Sequence, residues 1–117
     1  MKKILGNNTY IIAEIGLSHE GSLGIAKSYI DLACSLGVNA VKFQTHLPEY
    51  ESSAYEKFRL KVFPQDKNRY EYWKRTSFNF SEWKYLIKYC RKKKIEFLST
   101  PFSVEAFKLL NKFSIPI

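Results

Sequence analysis

The chain has 117 residues, 45% hydrophobic and 26% charged, with 19 basic against 11 acidic side chains and a net charge of +8. That composition fits one small globular domain, and no apolar run approaches the roughly 20 residues that cross a bilayer. Two lysines open the chain, but Gly6, Asn7, Asn8 and Thr9 interrupt any apolar core of a secretory signal, so a cytoplasmic protein with reduced Cys34 and Cys90 is expected.

The first apolar run, Tyr10 to Ile15, holds one acid, Glu14, and is closed by Gly16, which predicts a buried strand. A polar loop follows, Leu17 to Ser22. Leu23 to Leu36 places Ala26, Tyr29, Ile30 and Ala33 at helical spacing, with Gly37 at the C-cap position. Val38 to Phe43 reads as a second strand, continued by Gln44, Thr45 and His46. The stretch from Leu47 to Ser77 reads as a long irregular connection, rich in aromatic and charged residues, and connections of that length commonly carry function.

Asn79-Phe80-Ser81-Glu82 resembles a capping box and opens a helix whose apolar face is Trp83, Leu86, Ile87 and Cys90. Arg91 to Lys94 stand at its end, where cations complement the helix dipole, so the basic cluster needs no nucleic-acid partner. Ile95 to Ser99 is a third strand, Thr100-Pro101-Phe102 a turn, and Ser103 the cap of a third helix bearing Val104, Phe107 and Leu110. Ile115 to Ile117 reads as the approach to a fourth strand.

Strands alternating with helices predict parallel β-α-β units. Each strand carries polar groups within it or just after it: Glu14, then Lys42 with Gln44, then Ser99 with Thr100. A β/α-barrel gathers its active site at the C-terminal ends of successive strands, whereas an open sheet concentrates its ligand at one switch point. No glycine-rich phosphate loop is present. The expected fold is therefore α/β: the N-terminal portion, about three βα units, of a TIM-type barrel.

Glu14 in an apolar strand needs a partner or a raised pKa; it is either a site acid or a strand-end acid bonded to a lysine or to backbone amides. Lys42, flanked by Val41 and Phe43, suits the neutralisation of a phosphate or carboxylate; a salt bridge with Glu14 and a Schiff-base role are the alternatives. Ser99 and Thr100 bring two hydroxyls to a strand end, where they could hold an anion. His19 and His46 are expected as surface or substrate-loop residues, since two histidines without a third ligand make a weak metal signal.

Three blocks in order are recognisable together. Ile11-Ile12-Ala13-Glu14-Ile15-Gly16 with Ser18-His19-Glu20-Gly21-Ser22-Leu23, then Ala40-Val41-Lys42-Phe43-Gln44-Thr45-His46, then Glu96-Phe97-Leu98-Ser99-Thr100-Pro101-Phe102-Ser103, resemble the sialic acid (N-acetylneuraminate) synthases. The resemblance implies a barrel enzyme that joins phosphoenolpyruvate to N-acetylmannosamine or a related acetamido sugar and releases phosphate, in nonulosonic acid and surface polysaccharide biosynthesis. Lys42 and Thr100 match positions that hold phosphoenolpyruvate, Gln44 a position near the acceptor sugar, and Glu14 a catalytic acid. The Tyr70-Glu71-Tyr72-Trp73-Lys74-Arg75 segment matches an insertion that would cover the sugar, with Tyr70 a substrate-binding residue.

The resemblance further implies a divalent cation, Mn or Mg, whose ligands lie in later strands outside these residues. It implies a C-terminal antifreeze-like domain, also beyond them, and a homodimer for the complete enzyme. Residues 1–117 would then be the N-terminal segment of the barrel domain, inactive by itself and open to a complementary fragment. The competing expectations are a non-catalytic remnant or partner-binding half barrel and, third, a small basic nucleic-acid binder. Lys93-Lys94 stands where relatives commonly have glycine.

Overall fold

The computed structural model describes residues 9–115. In chain order the elements are β1 (Ile12–Gly16), α1 (Leu23–Ser35), β2 (Ala40–Thr45), α2 (Arg69–Thr76), α3 (Phe80–Lys93), β3 (Glu96–Pro101) and α4 (Val104–Asn111). The three strands form one parallel sheet in the order β1-β2-β3. The signal-peptide reading of the first eight residues, and all but Ile115 of the expected fourth strand, fall outside the described residues.

The expected elements are present, with shifted strand ends. β2 starts at Ala40 because Val38 and Asn39 still belong to the turn: Val38 N–H donates to Ala33 O, and the Asn39 side chain accepts from Ile11 N–H at 2.7 Å. β3 runs on through Thr100 and Pro101, which faces Thr45, and Phe102 N–H donates to Thr45 O. Pro101 sits at the end of a strand that has a neighbour on one side only, where its missing N–H breaks no ladder bond.

The connection from Leu47 to Ser77 is less irregular than its composition suggests. It holds a 3-10 turn at Pro48–Tyr50 and the helix α2. The Asn68 side chain caps α2 by accepting from Glu71 N–H. The capping box of α3 is complete, with Asn79 accepting from Glu82 N–H at 3.0 Å and Glu82 accepting from Asn79 N–H at 2.8 Å.

Helices cover one face of the sheet. Val41 and Phe43 of β2 and Phe97 of β3 are buried against Ala26, Ile30 and Ala33 of α1 and Trp83, Leu86, Ile87 and Cys90 of α3. Phe43 lies at the centre, stacked on Phe97 with centroids 5.4 Å apart and edge-on to Trp83 at 5.9 Å. The opposite face is half exposed: Ile12 keeps 45% of its surface, and Lys42 and Glu14 are comparably open. No helix among the described residues is long and apolar enough to cross a membrane.

The basic end of α3 has partners of its own. Lys93 pairs with Asp31 of α1 at 2.7 Å, and Arg91 donates to Phe113 O. Lys94 caps the helix in the left-handed region at φ 60°, a conformation that costs a side-chain-bearing residue roughly 1–2 kcal/mol. Replacing Lys94 by glycine is expected to raise stability by about 1 kcal/mol, after allowance for the extra freedom glycine has when unfolded. Denaturant unfolding of the wild-type chain and Lys94→Gly measures this directly, and an unchanged or lowered midpoint would refute it.

Candidate active site

β1 and β2 pair so that Glu14 lies opposite Lys42, and β2 and β3 pair so that Gln44 lies opposite Thr100. Side chains alternate along a strand, so Lys42 and Gln44 share a face. That face is the one the helices leave open. Lys42 Nζ sits 2.7 Å from Glu14 Oε2. Glu14, Lys42, Gln44 and Thr100 thus come from three adjacent parallel strands.

A bulge shapes the end of β1. The register slips between Glu14 and Gly16, and Gly16 takes φ +55°. A Cβ built on Gly16 would lie 3.7 Å from both the Gln44 amide and Glu14 Oε1, so the glycine leaves these two side chains adjacent.

Two of the expected site residues fall elsewhere. Ser99 points to the helix side, is 2% exposed, and shares a buried 2.7 Å hydrogen bond with Thr45 Oγ1. Consecutive strand residues cannot share a face, so placing Thr100 with Lys42 puts Ser99 behind the sheet, as a structural hydroxyl. Tyr70 lies in the first turn of α2 and does not line the hollow beside the strand ends; Trp73, one turn later, does.

That hollow, about 450 Å³, continues from Gln44 between β2, the long connection and the end of β3. Its walls are built from residues far apart in sequence. His46 is sandwiched between Trp73 (5.1 Å) and Phe102 (4.2 Å), with interplanar angles of 10° and 19°. His46 Nδ1 is 2.6 Å from Glu51 Oε2, and the other Glu51 oxygen accepts from Leu47 N–H. Arg69 lies over the Trp73 ring at 4.4 Å and bonds Glu56 at 2.9 Å. Among these, Gln44 was expected at a site, Trp73 belongs to the segment expected to cover the sugar, and His46 was one of the two histidines expected at the surface or in a substrate loop.

Of the two histidines expected at the surface or in a substrate loop, neither is at the surface: His19 is fully buried, and His46, 5% exposed, lies in the wall of the hollow. Among the described residues no three His, Cys, Asp or Glu side chains stand together. His19 belongs to the core, stacked on Phe78 at 4.4 Å and tilted against Phe43 at 5.9 Å. Its Nδ1 accepts from Gly21 N–H, which leaves the proton of the neutral ring on Nε2, where it has no partner. Burial pushes the His19 pKa down to about 4.

The loop that carries His19 is fastened to α2. Arg75 forks onto Asp66, with contacts of 2.8 to 3.2 Å, and reaches both the carbonyl and the carboxylate of Glu20. The Asp66 hydrogen bonds, and then those of Glu20, hold the guanidinium well above its ordinary pKa. Gly21, at φ +76°, lies so close to the end of α2 that a Cβ there would stand 2.3 Å from Arg75 O. No side chain fits that approach.

With this geometry in place, the family can be stated. The family model described as the NeuB family matches residues 29–117. The chain belongs to the NeuB family. It is similar to an N,N'-diacetyllegionaminic acid synthase of Campylobacter jejuni, 35% identical over 112 residues, which is 93% of this chain and 34% of that protein. A pseudaminic acid synthase of Helicobacter pylori is 29% identical, with 92% and 32% covered.

Among solved structures, the N-acetylneuraminic acid synthetase of Leptospira borgpetersenii, in complex with citrate, superposes with a TM-score of 0.74 at 32% identity, covering 93% of this chain and 34% of that one. The chain spans about a third of the length of these relatives. The resemblance noted on three sequence blocks is therefore met at family level, and the NeuB chain shares the α/β arrangement of parallel sheet and helices with the solved synthetase.

The buried His19 makes stability depend on pH. Its pKa is lower folded (about 4) than unfolded (6.5), so the unfolded chain binds a proton that the folded chain refuses between those values. Its contribution is fully present above pH 6.5 and is lost as pH falls toward 4, by on the order of 3 kcal/mol. Unfolding free energies of wild type and His19→Phe across that window should diverge in slope; parallel curves would show that His19 does not titrate this way.

Proposed function

We propose that this segment contributes the first three βα units of a barrel that condenses phosphoenolpyruvate with a 2-acetamido sugar of the N-acetylmannosamine class, releasing phosphate. The carrying observation is the Glu14–Lys42 pair in register, with Gln44 and Thr100 beside it on the face that the helices leave uncovered. Parallel sheets are ordinarily buried on both faces, and a half-exposed face bearing Ile12 and Leu98 suits closure by further strands. A span of about a third of the relatives' length points the same way.

The charges support an anionic substrate. An ion pair as exposed as Glu14–Lys42 contributes only about 0–1 kcal/mol to stability, so fold stability does not account for it. A lysine ammonium has three donors, and Glu14 uses one. The remaining two can meet the carboxylate of phosphoenolpyruvate, with the Thr100 hydroxyl as a second donor. Gln44 offers an amide donor and acceptor, complementary to an acetamido group.

Glu14 would hold the sugar in place and move a proton as the enol carbon attacks the sugar aldehyde. Water then adds to the carbon that bears the phosphate, and phosphate leaves. The ligands of the cation implied by the resemblance are expected in later strands, outside these residues, and no cluster of three His, Cys, Asp or Glu side chains stands among the described ones. No step is assigned to the cation. The complete enzyme is proposed to be cytoplasmic and homodimeric, with no nucleic-acid or membrane partner.

The 117-residue chain alone is expected to be inactive and to gain activity with a complementary fragment that supplies the remaining strands. A partner-binding half barrel without catalysis would bind that fragment and stay inactive. In the complete enzyme, Lys42→Ala should raise KM for phosphoenolpyruvate about 10- to 100-fold and spare the sugar KM, the loss of a charged hydrogen bond. Glu14→Gln should lower kcat by about 10²–10⁴. Steady-state kinetics with each substrate varied decides the matter, and an unaltered phosphoenolpyruvate dependence in Lys42→Ala removes the lysine from the site.

A further inference from the structure

The hollow beside Gln44 contains a histidine whose Nδ1 hydrogen bond the surrounding chain fixes. Glu51 Oε1 accepts from Leu47 N–H, and Oε2 faces His46 Nδ1 at 2.6 Å. A carboxylate that already accepts through one oxygen accepts through the other as well, so Nδ1 carries the proton. In the neutral ring Nε2 is then a bare acceptor. Both side chains are nearly sealed, at 4% and 6% exposure, and both ring faces are covered by Trp73 and Phe102.

The ring can therefore offer only the edge turned away from Glu51. His46 and Glu51 both line the hollow, and Nε2 has no hydrogen-bond partner among the described residues. It is also not among the fully enclosed unpartnered atoms, of which His19 Nε2 is the one found among the described residues. Nε2 is thus open to whatever occupies the hollow. Gln44, two residues earlier, lines the same space and also shares the strand face of Lys42.

We propose that His46 Nε2 is a hydrogen-bond acceptor for a hydroxyl of the acetamido sugar, held in the accepting tautomer by Glu51. The inference rests on the sugar-condensing reading above and adds to it a specificity element built by the long connection. An acceptor in a nearly sealed wall favours a ligand with a hydroxyl at that point and disfavours a deoxy or etherified one, because the nitrogen would otherwise stay unpaired. Aromatic walls with a few oriented polar groups suit a carbohydrate. Arg69 and Glu56, already bonded to each other, act as wall rather than as free charge.

Glu51→Gln isolates the idea. The glutamine oxygen can keep the Leu47 N–H bond while its NH₂ donates to Nδ1, which moves the ring proton to Nε2 with little change of shape. Long-range ¹H–¹⁵N spectra of the histidine rings in the full chain report the tautomer directly. The expected wild-type signal is protonated at Nδ1, and the Glu51→Gln signal at Nε2. Titration with N-acetylmannosamine should shift His46 Nε2 in the wild type, and affinity should fall at least tenfold in Glu51→Gln and in His46→Phe, which keeps the ring sandwich.

A wild-type ring protonated at Nε2, a sugar that leaves His46 unshifted, or a tautomer that flips without loss of affinity overturns the inference. Phosphoenolpyruvate, titrated separately, should shift resonances of Lys42 and Thr100. Failure there counts against the condensing reading, whereas a phosphoenolpyruvate response with a silent His46 counts against the histidine alone.

Discussion

Adjacent side chains on a strand point to opposite faces, and in β2 that alternation separates the core from the candidate site. Val41, Phe43 and Thr45 go into the helix layer and are fully buried, while Lys42 and Gln44 stand on the open side. Phe43 anchors the division. With Trp83 and Phe97 packed against it, a slip of β2 by one residue would carry a lysine into the aromatic core and a phenylalanine out to solvent. Burying an unpaired ammonium costs several kcal/mol, so the register is strongly fixed. The position of Lys42 opposite Glu14 follows from the packing of its neighbour.

The long connection needs a different kind of restraint. Ordering each residue costs about 1–2 kcal/mol of backbone entropy, and in the segment between β2 and α3 several apolar side chains, Tyr55, Leu60 and Val62, stay exposed. It is held by a few charged forks and aromatic stacks. Arg75 ties α2 to Asp66 and to the loop after β1, Arg69 ties it to Glu56, and Ser77 donates to His46 O. Trp73 and Phe102 then close on His46 from two sides. The wall of the hollow is a consequence of how the loop is anchored, so the residues that line it are also the ones that hold the loop in place.

Charge is distributed in keeping with this. Several of the basic side chains are paired: Lys42 with Glu14, Arg69 with Glu56, Arg75 with Asp66 and Glu20, and Lys93 with Asp31. The cluster at the end of α3 is accounted for by Asp31, by Phe113 O and by the helix dipole, with no nucleic acid required. The pair at the strand ends differs from the others in lying on the open sheet face beside an amide and a hydroxyl.

Much was legible in the chain itself. Hydrophobic spacing located three strands and three of the four helices among the described residues, the Asn79–Glu82 box set the start of α3, and three motif blocks pointed to the family. The same blocks singled out Glu14, Lys42, Gln44 and Thr100, which the strand register brings onto one sheet face. These signals are local: each needs only the periodicity or the spacing of neighbouring residues. Helix α2 was missed because its residues are polar on most sides, although Asn68 with Glu71 three residues on was a usable cap signal. Tyr70 came from the pattern of the Tyr70–Arg75 segment, and α2 places Trp73 of that same segment on the wall of the hollow. Ser99 was misplaced by reading a pair of hydroxyls without the strand's alternation, which assigns one to each face.

What the tertiary structure alone decided are the surroundings of the two histidines. His19 is buried because Phe78 and Phe43 close over it, and His46 because Trp73 and Phe102 do, partners as much as 59 positions away in the chain (78 − 19 = 59). The burial of both rings, and with it the lowered pKa of His19, depends on such long-range neighbours, whereas the bonds that place each ring proton come from Gly21 and Glu51 close by in the chain. A linear pattern identifies which groups can act, and only the packing of distant segments sets how deeply each is buried.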